Sequence, residues 1–207
     1  IVILAQCNDV RFKYDRQDFI DLLTKEGYAS YGAAGSAKEY FDEQFAGLIA
    51  FRFDVSEIVT LPGKMADYGG NMANGEDKNP AQMVIEACQA VDDDIDFTIY
   101  DDDKDGEIDN VFIFFAGADE AEGAGEDCIW SHAWYIFEGT GQTVTLDGKM
   151  VNRYACCSEL SRRYHGRSYD ETFTGIGTFC HEYSHTFGLP DFYDTDYEGS
   201  GGNSAGL

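Results

Sequence analysis

Positive charge is scarce in this sequence: 14 Lys plus Arg stand against 39 Asp plus Glu, a formal net charge of −25. Binding to nucleic acid needs a basic face for the phosphates, so the shortage excludes nucleic acid as a partner. Long apolar runs are missing too; nothing approaches the ~18 residues of a membrane span. No internal repeat is visible, which excludes a solenoid or propeller. The chain opens directly on Ile1-Val-Ile-Leu, which reads as a core strand, so any export leader is expected to have been removed or never built. Histidine is rare, at 4 residues, so its placement is informative.

The content that remains is that of a packed globule. Hydrophobic residues make up 43% and aromatics 14% of 207 residues, enough for one domain with a full core. The acidity suits solubility, and part of it suits cation binding. Six cysteines (Cys7, Cys88, Cys128, Cys156, Cys157, Cys180) fit an exported chain, secreted, at the cell surface or periplasmic. Their pairing is not readable. Cys156 and Cys157 are adjacent, so at most one is expected to face the core of a strand; Cys180 reads as a small buried hydrophobe.

Elements follow from periodicity and caps. Residues 1–6 predict a strand buried on both faces. Residues 15–27 predict a helix with Asp15 as N-cap and Gly27 as stop. Ser36-Ala-Lys-Glu39 is a capping box that opens a second helix, residues 48–61 alternate as a strand, and Asn79-Pro80 starts a helix to about Val91. Residues 110–116, Asn-Val-Phe-Ile-Phe-Phe-Ala, predict the strongest and most central strand. Within 128–137, Trp130, His132 and Trp134 share one strand face; His132 reads as packing between the indoles or as a substrate contact. Residues 143–154 predict a hairpin with Asp147-Gly148 at a type I′ turn. Arg162, Arg163, His165 and Arg167 read as a solvent loop. The order of elements predicts a mixed α/β (α+β) layer fold.

Two stretches carry chemistry. Asp101-Asp-Asp103-Lys-Asp105-Gly106-Glu107-Ile-Asp109 places acids at positions 1, 3, 5 and 9 and glycine at 6, as in the first nine positions of an EF-hand loop. Phe112 stands where an EF-hand has its bidentate Glu, so a full EF-hand is excluded. A shorter calcium loop is expected, with side chains of Asp101, Asp103, Asp105 and Asp109 and the carbonyl of Glu107 as ligands. The second stretch is His181-Glu182-Tyr-Ser-His185-Thr-Phe-Gly188-Leu-Pro-Asp191. Residues four apart on a helix lie about 40° apart around its axis, so His181 and His185 share a face and suit one zinc ion. Glu182, about 100° round, is placed to act as general base toward a water. Gly188 and Pro190 end the helix, and the turn brings Asp191 back as a third, oxygen ligand.

The stretch Gly177-Thr-Phe-Cys-His181-Glu182-Tyr-Ser-His185-Thr-Phe-Gly188-Leu-Pro-Asp191-Phe-Tyr-Asp194 resembles the active-site helix of the immune inhibitor A family of secreted bacterial metallopeptidases, and the metzincin clan more broadly. The resemblance implies a metzincin-like mixed twisted sheet, a zinc endopeptidase acting on proteins or peptides, and calcium in the acidic segment. It also implies that the Trp-x-His stretch lines an edge strand near the cleft. Most metzincins have His where this chain has Asp191. They also place a methionine turn after the third ligand, whereas Met65, Met72, Met83 and Met150 all precede the helix; residues 1–207 are therefore expected to be a catalytic domain cut short of that turn. The competing expectation is a calcium-stabilised binding or adhesion module with an inert zinc site, against which Glu182 argues, since a structural site needs no base. Oligomeric state is not readable.

Overall fold

The computed structural model describes residues 1–191; the expectations for Tyr193 and the stretch to Leu207 fall outside them. Strand β1 (Val2–Gln6) is followed by α1 (Arg16–Thr24), α2 (Ala37–Gln44), β2 (Val55–Thr60), the single turn α3 (Met65–Tyr68) and α4 (Pro80–Val91). The central β3 (Val111–Ala118) comes next, then β4 (His132–Tyr135), α5 (Ile136–Thr140), β5 (Val144–Leu146), β6 (Lys149–Val151), β7 (Arg153–His165), β8 (Ser168–Phe173) and α6 (Ile176–His185).

Six strands form one mixed sheet in the order β2-β1-β3-β7-β4, with β8 also on β7. The β1–β2, β1–β3 and β3–β7 pairs are parallel; β4 and β8 run antiparallel to β7. Parallel strands need crossovers, and here the helices supply them, covering both faces of the sheet. On one face, α4, α5 and the β5–β6 hairpin pack on Ile3, Val111, Ile113, Phe115, Tyr154 and Cys156. On the other, α1, α2 and α6 pack on Val2, Leu4, Phe112, Phe114, Ala155 and Cys157.

The sequence signals for caps act as written. Asp15 and Ser36 both close reciprocal capping boxes, and Pro80 occupies the first turn of α4. The β5–β6 turn has φ +49° at Asp147 and +78° at Gly148, as a type I′ turn requires.

Three expectations are corrected. Residues 48–54 are not strand: Phe51 and Phe53 leave the sheet to stack against Phe41, so the alternation served an aromatic cluster rather than a ladder. Cys156 and Cys157 are both buried, because the middle of β7 is covered on both faces. The arginine stretch is not all loop: Arg162, Arg163 and His165 lie on β7 and only Arg167 in the turn to β8, with Arg163, His165 and Arg167 exposed as expected and the hairpin held by Arg162 on Glu171 at 2.9 Å and on Tyr169. All six cysteines are free thiols, and Cys180 is a buried hydrophobe as expected.

Helix α6 is fixed to the sheet by Phe179. Its ring lies 4.4 Å from Phe112, 5.3 Å from Tyr183 and 5.7 Å from Phe114, centroid to centroid, with no exposed surface. Truncating a fully buried Phe removes its transfer energy and leaves a cavity. Phe179→Ala is expected to lower unfolding free energy by about 3–5 kcal/mol in urea titration, whereas Leu48→Ala, at an 88% exposed site, stays within about 0.5 kcal/mol of the parent.

Candidate active site

Helix α6 leaves Gly175 with no side-chain cap and ends where Gly188 enters the left-handed region at φ +83°. Gly188 N–H donates to the His185 carbonyl at 2.9 Å, closing the turn. Three residues later Asp191 lies beside the helix it has just left. His181 Nε2 and His185 Nε2 are 3.2 Å apart, and Asp191 Oδ1 is 3.3 Å from each. The three atoms form a nearly equilateral triangle.

That triangle has the dimensions of three corners of a metal shell. Ligands at about 2.0–2.1 Å in tetrahedral geometry lie about 3.3–3.4 Å apart. The protonation pattern agrees. His185 Nδ1 lies 2.8 Å from the Leu189 carbonyl, so that nitrogen carries the proton and Nε2 turns a lone pair to the triangle. Asp191 Oδ1 is buried and accepts no hydrogen bond among the described residues, although two ring nitrogens stand 3.3 Å away. An orphaned carboxylate oxygen beside imidazole lone pairs fits a divalent cation with N/O preference.

Glu182 is buried beside this triangle, its Oε1 4.0 Å from His181 Nε2. With His181 and His185 it forms a cluster whose ligand atoms lie within 4.8 Å of one another. Burial pushes its carboxyl up to about 8, and the negative charges of Asp119 and Asp191 add to the shift. Burial, then the neighbouring His185, lowers His181, which keeps that imidazole in the neutral form a metal needs.

A cavity of about 290 Å³ opens at the triangle, lined by His185 and Asp191 and by Ala133, Trp134, Arg153 and Tyr154 among others. Sequence reasoning missed Arg153 and Tyr154. Arg153 Nη1 donates to the Thr186 carbonyl at the end of α6 at 2.7 Å, while its Nε is buried with no partner among the described residues. No local motif marks Arg153; only the β7 register sets it beside α6. His132 lies between Trp130 and Trp134 in the lining of a second cavity. Its Nδ1 donates to the Trp130 carbonyl at 2.7 Å and its Nε2 accepts from the Tyr154 hydroxyl at 2.8 Å, so both nitrogens are engaged and the ring is neutral.

The acidic loop lies away from this centre. Ligand-capable oxygens of Asp101, Asp103 and Asp105 come within 4.8 Å of one another. Asp109 instead accepts the Asp102 N–H at 2.7 Å, and the Glu107 N–H donates to Asp105. Lys149 on β6 bonds Asp101 Oδ2 at 2.5 Å and, with the Gly106 and Asp105 N–H groups, holds that buried carboxyl below its usual range. The hairpin also ties the loop through Met150 N–H to the Gly106 carbonyl and Ile108 N–H to the Met150 carbonyl, both 2.8 Å.

Comparison with known proteins places these features in context. Residues 5–206 match the family model described as Immune inhibitor A peptidase M6, catalytic domain. The chain is 34% identical over 196 residues to Immune inhibitor A of Bacillus thuringiensis subsp. alesti, covering 79% of this chain and 26% of that protein. It is 29% identical over 217 residues to the pre-pro-metalloprotease PrtV of Vibrio cholerae serotype O1 (strain M66-2), covering 91% of this chain and 22% of that one. The chain thus spans roughly a quarter of the length of these curated relatives.

Behind Glu182, Asp119 accepts Ser131 N–H at 3.2 Å and Ala121 N–H at 2.8 Å. Nearby Asp77 accepts Trp130 N–H at 3.0 Å. Burial, then Glu120 and Asp119, pushes the Asp77 carboxyl from 3.8 up to about 7. A carboxyl whose folded pKa is raised stabilises the fold fully below its unfolded pKa, and that stability is lost as pH rises through the folded value. Asp77→Asn, which keeps the acceptor for Trp130, is expected to flatten the fall in stability between about pH 4 and 7. Parallel pH dependence of parent and variant in urea titrations would remove the assignment.

Proposed function

The chain belongs to the immune inhibitor A family of M6 peptidases, and on that premise we propose that residues 1–207 form the catalytic domain of a zinc-dependent endopeptidase, exported by a bacterium and acting on proteins or peptides. The observation that carries this reading is the convergence of His181 Nε2, His185 Nε2 and the orphaned Asp191 Oδ1 at 3.2–3.3 Å. These three residues would hold the ion; two neutral imidazoles and one carboxylate leave it a net charge of about +1. Bound there, zinc supplies Lewis acidity toward a water and a carbonyl oxygen.

The remaining chemistry falls to the chain. Glu182, adjacent to the triangle and shielded from bulk water, accepts a proton from the attacking water and delivers it to the departing amine. Burial raises its pKa to about 8, and a dication at the triangle would draw it back toward the carboxylate that accepts the proton. Leu189 holds the His185 ring in its ligand tautomer. The outer edge of β4, unpaired among the described residues, offers an extended substrate a strand to add to. Beside it, the cavity at Arg153, His185 and Asp191 would receive the scissile bond.

Asp101, Asp103 and Asp105, with the Glu107 carbonyl and Asp109, are proposed to hold a structural calcium ion. Oxygen-only donors suit a hard cation, and the three clustered carboxylates repel one another beyond what the Lys149 ammonium neutralises.

The purified protein is expected to digest casein, to stop in a zinc chelator and to recover on adding zinc. Glu182→Ala should retain stoichiometric zinc while losing about 100-fold or more of the rate; His185→Ala should lose both. Stoichiometric zinc without cleavage of any protein substrate would leave a binding module in place of a peptidase, and an active Glu182→Ala would remove the base. Separately, calcium is expected to raise the melting temperature of the parent and much less that of Asp103→Ala; a melting temperature indifferent to calcium leaves the loop a solvated turn held by Lys149.

A further inference from the structure

A second, larger cavity of about 610 Å³ runs along β4 and has no part in the chemistry above. It shares Trp134 and Tyr154 with the cavity at His185 and Asp191, so the two meet. It belongs to the opposite side of the sheet. Trp134 pairs with Tyr154 across β4 and β7, and Tyr154 packs in the α4 core, whereas α6 packs in the other.

The lining has a definite chemistry. Trp130 and Trp134 are 53% and 54% exposed, an unusual state for two indoles four residues apart. His132 between them is clamped neutral, so it adds no charge. Glu76, Glu120 and Glu138 contribute three carboxylates, and Asp77 a carboxyl raised to about 7, against a single lining cation, Lys78. An anionic ligand would be repelled, and a purely apolar one would strip water from carboxylates with nothing to replace it. A side chain with a long apolar stem and a cationic head satisfies both halves: the stem and charge lie on indole faces and the head reaches carboxylates. The outer edge of β4, unpaired among the described residues, adjoins the cavity and presents backbone groups for an extended chain.

We propose that this cavity is an exosite that takes a lysine or arginine side chain of an extended polypeptide, the neighbouring residues of which pass along β4 toward the His185–Asp191 cavity. That the polypeptide is a substrate rests on the peptidase reading; the binding itself does not, because no metal ligand lines the cavity.

The sequence contains 2 tryptophans and both line this cavity; Trp134 also borders the His185–Asp191 cavity, so a Trp134→Phe variant, read through Trp130 alone, separates binding here from binding there. The probe is an uncleavable all-D pentapeptide carrying two lysines, compared with glutamine and glutamate versions. The lysine peptide is expected to give a saturable fluorescence change, unaltered by a zinc chelator, and the other two none. Glu76→Gln with Glu138→Gln is expected to weaken binding about tenfold. The charge-matched control, Glu26→Gln with Glu43→Gln, alters exposed residues just after α1 and in α2 on the far face and should stay within about twofold. With cleavable substrates bearing lysine, the first pair of substitutions should raise KM and leave kcat unchanged. No saturable signal, equal response to all three peptides, or equal weakening by the control pair would overturn the exosite. Saturable lysine-specific binding in a protein that cleaves nothing would uphold the exosite and sink the peptidase reading instead.

Discussion

Two imidazole nitrogens and a carboxylate oxygen face one point at the end of α6, with His185 donating its Nδ1 proton away to Leu189. The Asp191 oxygen has no hydrogen-bond donor among the described residues, and burying it beside the His185 lone pair works against folding unless a cation joins them. The surrounding architecture makes sense as the means of holding them there. Phe179 and Tyr183 seat α6 on Phe112 and Phe53; Arg153 and Asn110 bind the Thr186 carbonyl and hydroxyl at its C-terminal end. The position of His185 is therefore set from two sides, by aromatic packing and by polar clamps on the following residue.

The same face of the molecule combines strong negative charge with hydrophobic shielding. Asp119 and Asp191 flank Glu182 in a site with little water, which keeps that carboxyl protonated to higher pH than usual. A dication at the triangle opposes this shift by favouring the carboxylate. Metal occupancy and the protonation of Glu182 are thus coupled through a few ångströms of low-dielectric space. The excess of acids elsewhere has separate outlets: a loop neutralised in part by Lys149, and carboxylates along β4 that face two indoles.

Strand β4 links these regions. One of its edges pairs with β7, which carries Arg153 and Tyr154; its side chains alternate between the α6 and α4 sides of the sheet. A peptide lying on its outer edge would meet the His185–Asp191 cavity and the aromatic–acidic cavity in turn. The short strand thus relates the chemistry of one face to the recognition surface of the other, and His132, bonded to both Trp130 and Tyr154, stiffens the junction.

Local physics was legible in the sequence wherever one residue's chemistry sets one backbone feature. Asp15 and Ser36 as caps, Pro80 at a helix start, Asp147-Gly148 at a tight turn and the His181–Glu182–His185 spacing all follow from short-range hydrogen bonding and helical pitch. What sits on the far side of the sheet was not legible. Burial of both Cys156 and Cys157, the aromatic role of Phe51 and Phe53, and the arginine stretch forming β8's partner depend on coverage by elements distant in the chain. So does the presence of Arg153 beside Asp191, and of Trp130 and Trp134 beside acids from three separate segments. A sequence records pitch and capping within a few residues. Which lone pair finds a partner, and which is left facing an ion, is decided only when packing brings separate segments together.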